Sequence, residues 1–328
     1  MKKNGKWTIV VPTIREDCIK EFLAKWESEF KGHRIIVVED NPEKSFDIYD
    51  WVEHYSWEDI DKEFGPKSWI IPRRSDTIRS YGYYKASKKR TDYVLTVDDD
   101  CYPERNYRGG FLKLMQKALE KKPINGRWWN TLDSDIIFPR GYPHEEREAA
   151  HEVILHHGLW SNVPDLDAVT QMKYPKFKTR PFKDTEIIPW GKYFPMCGMN
   201  VAFKAKAIPA MYFLLMGKDS NGKRWPYDRA GDVWCGLFIK KISDHLGHSM
   251  SSGAPSVHHS RASNVDVNFK KEKPTMPVHE KLWKKVDAVA LTKDNYKDCY
   301  IELANKLDMN TKYWKTLRRA MREWALLF

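Results

Sequence analysis

A chain of 328 residues with 41% apolar and 31% charged side chains is long enough for a substantial core and ordinary for a globular protein. Its 56 Lys and Arg exceed its 45 Asp and Glu, a formal net charge of +11, which favours anionic partners such as nucleotides, nucleic acid or an acidic membrane face. Five cysteines without regular spacing exclude a disulfide framework and a Cys-x-x-Cys zinc site, and no apolar run reaches membrane-spanning length, so a cytoplasmic protein with reduced thiols is expected.

Trp7 to Pro12 (WTIVVP) reads as a first strand, the following segment as a helix carrying Phe22, Leu23, Trp26 and Phe30, and His33 to Glu39 (HRIIVVE) as a second strand. Such a βαβ unit presents Thr13, Arg15 and Asp40 at the carboxyl ends of its strands, where open α/β sheets bind ligands. Trp51 to Phe64 reads as short helix and loop, and Ser68 to Ile71 as a weak strand. Asp76 to Lys89 has the acidic start and basic end that suit a helix.

Tyr93 to Val97 (YVLTV) is a short buried strand that ends in Asp98-Asp99-Asp100. Three adjacent carboxylates repel one another unless a cation or a set of donors holds them; a solvated strand end is the alternative. Mg²⁺ is usually held by one or two carboxylates plus phosphate oxygens, and Mn²⁺ shares the preference, so the triplet suggests a metal-diphosphate site. Asp100 is expected as the leading metal ligand, with Asp98 nearer the ribose or a coordinated water and Asp99 also on the nucleotide side. No Gly-x-Gly-x-x-Gly or Gly-Lys-Ser/Thr loop signals a dinucleotide fold or a P-loop.

From Trp128 to Met216 the mixture of Gly, Pro, aromatic and acidic residues reads as pocket-building loops, with a strand at Asn200 to Phe203 and an apolar helix at Ile208 to Met216. Gly231 to Leu246 has helical spacing and carries Asp232 in its first turn; Ser256 to Asn264 is polar and follows a last strand. Met276 onward is helical. The expected division is a nucleotide-sugar-binding catalytic domain over 1–272 and a C-terminal helical extension over 273–328.

Eight spaced motifs, among them Pro12-Thr13-Ile14-Arg15, Asp98-Asp99-Asp100-Cys101, Arg140-Gly141-Tyr142-Pro143, His157-Gly158-Leu159-Trp160, Asn162-Val163-Pro164-Asp165, Phe194 to Asn200 and His259 to Asn264, together resemble the reversibly glycosylated polypeptides, also called UDP-arabinopyranose mutases. The resemblance implies the type A glycosyltransferase fold, α/β with a mostly parallel central sheet flanked by helices. It also implies a UDP-sugar substrate, Mn²⁺ or Mg²⁺ on the acid motif, and interconversion of UDP-arabinopyranose and UDP-arabinofuranose. Self-glycosylation falls on an arginine matched here by Arg140. One departure is Gly231-Asp232-Val233-Trp234, where plant members carry two aspartates.

On this resemblance His259 is the second metal ligand, and Arg79, His157 and Asn200 lie with the substrate. A guanidinium is a poor nucleophile, so Arg140 is expected chiefly as a bidentate clamp on the diphosphate. Asp165, Asp167 and Asp232 are candidates to bind sugar hydroxyls or accept a proton, with helix capping as their alternative role. Asp40 is expected to accept from the base, and Trp160 to stack on the sugar. Two other readings remain: a transferase moving a sugar to an external acceptor such as DNA or another polyanion, and a non-enzymatic nucleic-acid-binding protein. A homo-oligomer is compatible with the sequence.

Overall fold

The computed structural model describes residues 5–104, 110–121, 128, 130–132, 134, 136–147, 151–260 and 264–328. Its strands are β1 (Trp7–Thr13), β2 (Arg34–Glu39), β3 (Glu53–Tyr55), β4 (Tyr93–Val97), β5 (Cys101–Pro103), β6 (Val153–Asn162), β7 (Thr185–Ile188), β8 (Asn200–Lys204) and β9 (Ser249–His259). They form one sheet in the order β3-β2-β1-β4-β8-β6-β9-β5, with β7 added alongside β9.

The first four strands in that order are parallel, as the βαβ reading requires. Beyond them the sheet is mixed: β8 runs antiparallel to β4 and β6, while β6 and β9 are parallel. This reversal builds the site. Because β8 is antiparallel to β4, its first residue Asn200 pairs with Val97, so the loop before β8 lies against the acid triplet. At the other end, His259 of β9 pairs with both Cys101 and Asn162.

Strand periodicity divides the core into two faces. Ile9, Val11, Ile35, Val37, Leu95 and Val97 pack with Phe22, Trp26 and Phe30 of the helix Glu16–Phe30 and with Phe111 and Met115 of the helix Phe111–Leu119. Their neighbours Val10, Ile36, Val38 and Val94 point the other way, into a cluster with Tyr83, Phe203 and Trp234. The helices Met276–Asp287, Tyr296–Lys306 and Lys312–Ala325 close this second face, and their Leu282, Tyr300, Trp314 and Trp324 belong to the same apolar cluster. The expected C-terminal helical segment is thus present and shares the core of the preceding chain.

Several local expectations differ: Glu53–Tyr55, within the segment read as short helix and loop, is β3, and Ser256 to His259, read as following the last strand, are the end of β9. Ser68 to Ile71 is not a strand; most of it lies in the 3₁₀ helix Gly65–Ile70, which Pro66 initiates. Ile208 to Met216 is a 3₁₀ turn, Ala205–Ala210, followed by non-helical chain, because Pro209 cannot donate to a helix and its ring blocks the preceding turn. The largest difference is β6. Its His156-His157-Gly158 stretch lacks a strand-like composition, yet it forms a central strand whose residues from Val153 to Gly158 are all buried.

Candidate active site

A cleft of about 1190 Å³ opens at the carboxyl ends of β1, β2 and β4, somewhat above the roughly 300–1,000 Å³ usual for small-ligand pockets. One wall carries Thr13, Arg15, Asp40 and the acid triplet; the other is made by residues 165–170, 195–199, 228–233 and 271–279. The chain is basic overall, but ten Asp and Glu side chains line this cleft against five Arg and Lys.

The three acids of the triplet differ in what holds them. Asp98 takes a 2.6 Å hydrogen bond from Arg79 Nη2. Arg79 is fully buried and also donates to Gly198 O (2.6 Å), Thr96 Oγ1 (3.0 Å) and Asp76 O (2.9 Å). Burial alone would depress its guanidinium, but Asp98 and Asp76 outweigh that effect and the net shift is upward. Asp99 turns inward, where it accepts 2.6 Å from Thr13 Oγ1 and bonds Arg15; its burial raises its carboxyl. Arg15 also reaches Asp100 Oδ2 at 3.0 Å.

Asp100 Oδ1 is left facing His259 Nε2 at 3.8 Å. His259 Nδ1 lies 2.7 Å from Val163 O, which can only accept, so Nδ1 carries a hydrogen and Nε2 is the ring atom left facing the carboxylate. A carboxylate oxygen and an imidazole nitrogen separated in this way are donor types that a hard divalent cation can bridge. Among the described residues no three His, Cys, Asp or Glu side chains converge on a ready-made metal cage.

Asp40 has a structural component beyond its expected contact with a base. Its oxygens accept from Trp57 Nε1 (2.7 Å) and from the backbone N–H groups of Arg74 and Ser75 (2.9 Å each), tying down the loop that carries Asp76. Burial raises its carboxyl, partly offset by those bonds.

Asp232 occupies the first turn of the helix Gly231–His245. It accepts from Gly198 N (3.0 Å) and Val233 N (2.8 Å), yet desolvation, reinforced by the negative charges of Asp76 and Asp165, pushes its carboxyl up to about 7. Asp165 is exposed at the cleft edge. Asp167, also at the edge, caps the helix Ala168–Lys173; its small burial penalty is outweighed by hydrogen bonds from Thr170, which lower its carboxyl.

The cleft therefore gathers Thr13, Arg15, Asp40, Arg79, Asp98, Asp99, Asp100, Asp165, Asp167, Asp232 and His259. Four expected residues lie outside its lining. Arg140 is exposed in a turn with Gly141. His157 is buried in β6, where Nε2 accepts from Cys197 N at 3.1 Å and burial lowers the ring to about 4, so it is neutral and supports the loop before β8. Asn200 is buried and ties Leu159 O and Pro255 O (3.0 Å each), and Trp160 stacks edge-on against His157. Residues 261–263 of the last motif lie outside the described residues. Sequence reasoning did not single out Asp76, Arg229 or Glu272, which sit in unpatterned loops or at helix ends far apart in the chain.

The sheet, its reversal at β8 and the acid-tipped strand facing a nucleotide-sized cleft define a nucleotide-sugar enzyme of the type A glycosyltransferase kind. The sequence profile of the reversibly glycosylated polypeptide family matches residues 2–328. The chain is 36% identical over 334 residues to the probable UDP-arabinopyranose mutase 1 of Pisum sativum, covering 97% of this chain and 88% of that protein. It is 37% identical over 334 residues to UDP-arabinopyranose mutase 3 of Arabidopsis thaliana, covering 96% and 89%. The chain belongs to the reversibly glycosylated polypeptide family.

Proposed function

We propose that this protein interconverts UDP-arabinopyranose and UDP-arabinofuranose. The observation that carries the reading is the acid-tipped β4 with His259 beside Asp100, in a chain similar over nearly its whole length to proteins named for that reaction.

Ring contraction exchanges one sugar oxygen for another on C1. The bond from C1 to the diphosphate breaks with its electron pair going to phosphate, O4 attacks C1 and sheds its proton, the C1–O5 bond opens and O5 takes a proton, and the diphosphate returns to C1. The reaction therefore needs anion stabilisation at the phosphate and one proton moved from O4 to O5. Asp232, titrating near neutrality beside Asp76 and Asp165, suits the proton transfer.

Asp100 and His259, with Asp98 adjacent, would hold Mn²⁺ or Mg²⁺. Such a cation neutralises charge on the departing diphosphate. The acid excess of the cleft favours this reading, since a dianionic diphosphate would otherwise be repelled. Five buried cysteines accord with a reducing, cytoplasmic setting, and no described helix is long and apolar enough to cross a membrane.

The test is chromatography of UDP-arabinopyranose incubated with the protein and Mn²⁺. Furanose product supports the proposal. Free UDP appearing only with an added acceptor would replace it with transfer to that acceptor.

A further inference from the structure

The charge requirement of the proposed reaction leaves one question in the cleft: which protein cation meets the diphosphate. Arg79 is fully committed to Asp98, Thr96, Gly198 and Asp76. Arg15 is taken up by Asp99 and Asp100, and Lys271 by Asp228 at 3.0 Å. Arg74 is exposed beside Asp40, bonded to Asn41 and lying over the Trp57 ring. Arg140 is outside the lining.

Arg229 differs from all of these. It lines the cleft from the loop ahead of the helix Gly231–His245, with its side chain 31% exposed. Its Nε is pinned by Glu272 Oε1 at 3.0 Å, and among the described residues neither terminal nitrogen donates to any partner. A guanidinium fixed along one edge presents its remaining N–H fork in a set direction, which is the geometry for a bidentate phosphate contact.

The backbone supplies an independent sign. Arg229 has φ +56°, in the left-handed region, shared among the described non-glycine residues only by Asn162 and by Arg74, whose side chain is turned to Asn41 and the Trp57 ring. That conformation is unfavourable for a side chain with a Cβ and concentrates at functional sites. Here it is held by the Asp228 carboxylate, which accepts from Arg229 N at 2.9 Å and is itself tied to Lys271. Two ion pairs, Glu272 with Arg229 and Lys271 with Asp228, thus fix the loop from the end of one short helix, Val265–Glu272.

We propose that Arg229 binds the β-phosphate of the substrate diphosphate, with Glu272 as its positioning residue. The inference rests on a UDP-sugar being the substrate class. In the reaction, Arg229 would receive the negative charge that reaches the β-phosphate oxygen when the C1–O bond breaks, without exchanging a proton.

The experiment is calorimetry of UDP and of UMP binding in the presence of Mn²⁺, with wild type, Arg229→Ala, Arg229→Lys and Glu272→Gln. Arg229→Ala is expected to lose about 10–100-fold in UDP affinity, the worth of a charge-assisted hydrogen-bonded pair, with UMP affinity unchanged. Arg229→Lys should fall between, since it retains charge without the fork. Glu272→Gln should weaken UDP severalfold, again sparing UMP. Equal weakening of UDP and UMP would mean Arg229 only shapes the wall, and unchanged UDP affinity in Arg229→Ala would remove it from the site; either overturns the proposal. If Arg229→Ala fails to fold by circular dichroism, the Lys variant decides on the same UDP-to-UMP comparison. A wild type that binds UDP through Arg229 but makes no furanose would refute the proposed reaction and leave this assignment standing.

Discussion

Replacing Asp232 with Asn probes the electrostatic cost stored in the cleft. The Asp232 carboxyl rises from 3.8 to about 7 through desolvation and the nearby Asp76 and Asp165 charges. At about 1.4 kcal/mol per pH unit this corresponds to at most about 4 kcal/mol. Because Asp232 is only half-buried, cleft water reduces the realised value to about 1–2 kcal/mol. The sign follows from proton linkage: the folded protein holds the Asp232 proton more tightly than the unfolded chain does. This contribution is therefore complete below the unfolded value and disappears as pH rises through about 7.

In Asp232→Asn that pH dependence is removed. The amide cannot accept from both Gly198 N and Val233 N, which costs about 1 kcal/mol at every pH. The variant should therefore melt below wild type at pH 5 and at or above it at pH 8.5, with about 2 °C or less per kcal/mol in a chain of this size. The assay is thermal unfolding across that range in chelator, without nucleotide. A melting difference independent of pH would refute the raised carboxyl.

Asp100→Asn should abolish Mn²⁺-dependent UDP binding while leaving the melting temperature near wild type, measured by calorimetry; unchanged affinity with Mn²⁺ would remove Asp100 from the metal site. His259→Ala should weaken Mn²⁺ binding by about 10–100-fold, read by metal titration, as expected on loss of one of few ligands. Gly158→Ala should destabilise by about 1–3 kcal/mol in urea unfolding, because its Cβ would come within 2.3 Å of Asn200 Nδ2 in the packed centre of the sheet. Trp57→Phe removes the indole donor to Asp40, and should lower stability by about 1 kcal/mol and loosen UDP binding through the loop carrying Arg74 to Asp76.

Local sequence pattern was enough to read the parallel half of the fold. In β1, β2 and β4 the apolar runs, the acid tip and the amphipathic helix between the first two strands are local patterns, and their ligand-binding ends follow from the βαβ rule. The spaced motifs also carried the family. What the sequence did not determine is which polar residues face the cleft and which hold up its walls. His157, Asn200 and Trp160 sit in motifs as polar or aromatic as the true lining, but β6 takes His157 and Trp160, and β8 takes Asn200, into the sheet, where His157 accepts from Cys197 N and packs edge-on with Trp160, and Asn200 donates to Leu159 O and Pro255 O. Conversely, Arg229 and Glu272 belong to no local pattern, and Asp76 was legible only as the acidic start of a helix. The reversal of strand direction at β8 and the docking of the later helices bring Asp232, Arg229 and Glu272 up to the acid triplet and Asp76. Strand and helix periodicity act over a few residues, whereas these juxtapositions depend on contacts tens of residues apart, as between Arg229 and Glu272, or more than a hundred apart, as between Asp232 and the loop carrying Asp76, and those are decided by how the two faces of the sheet are covered.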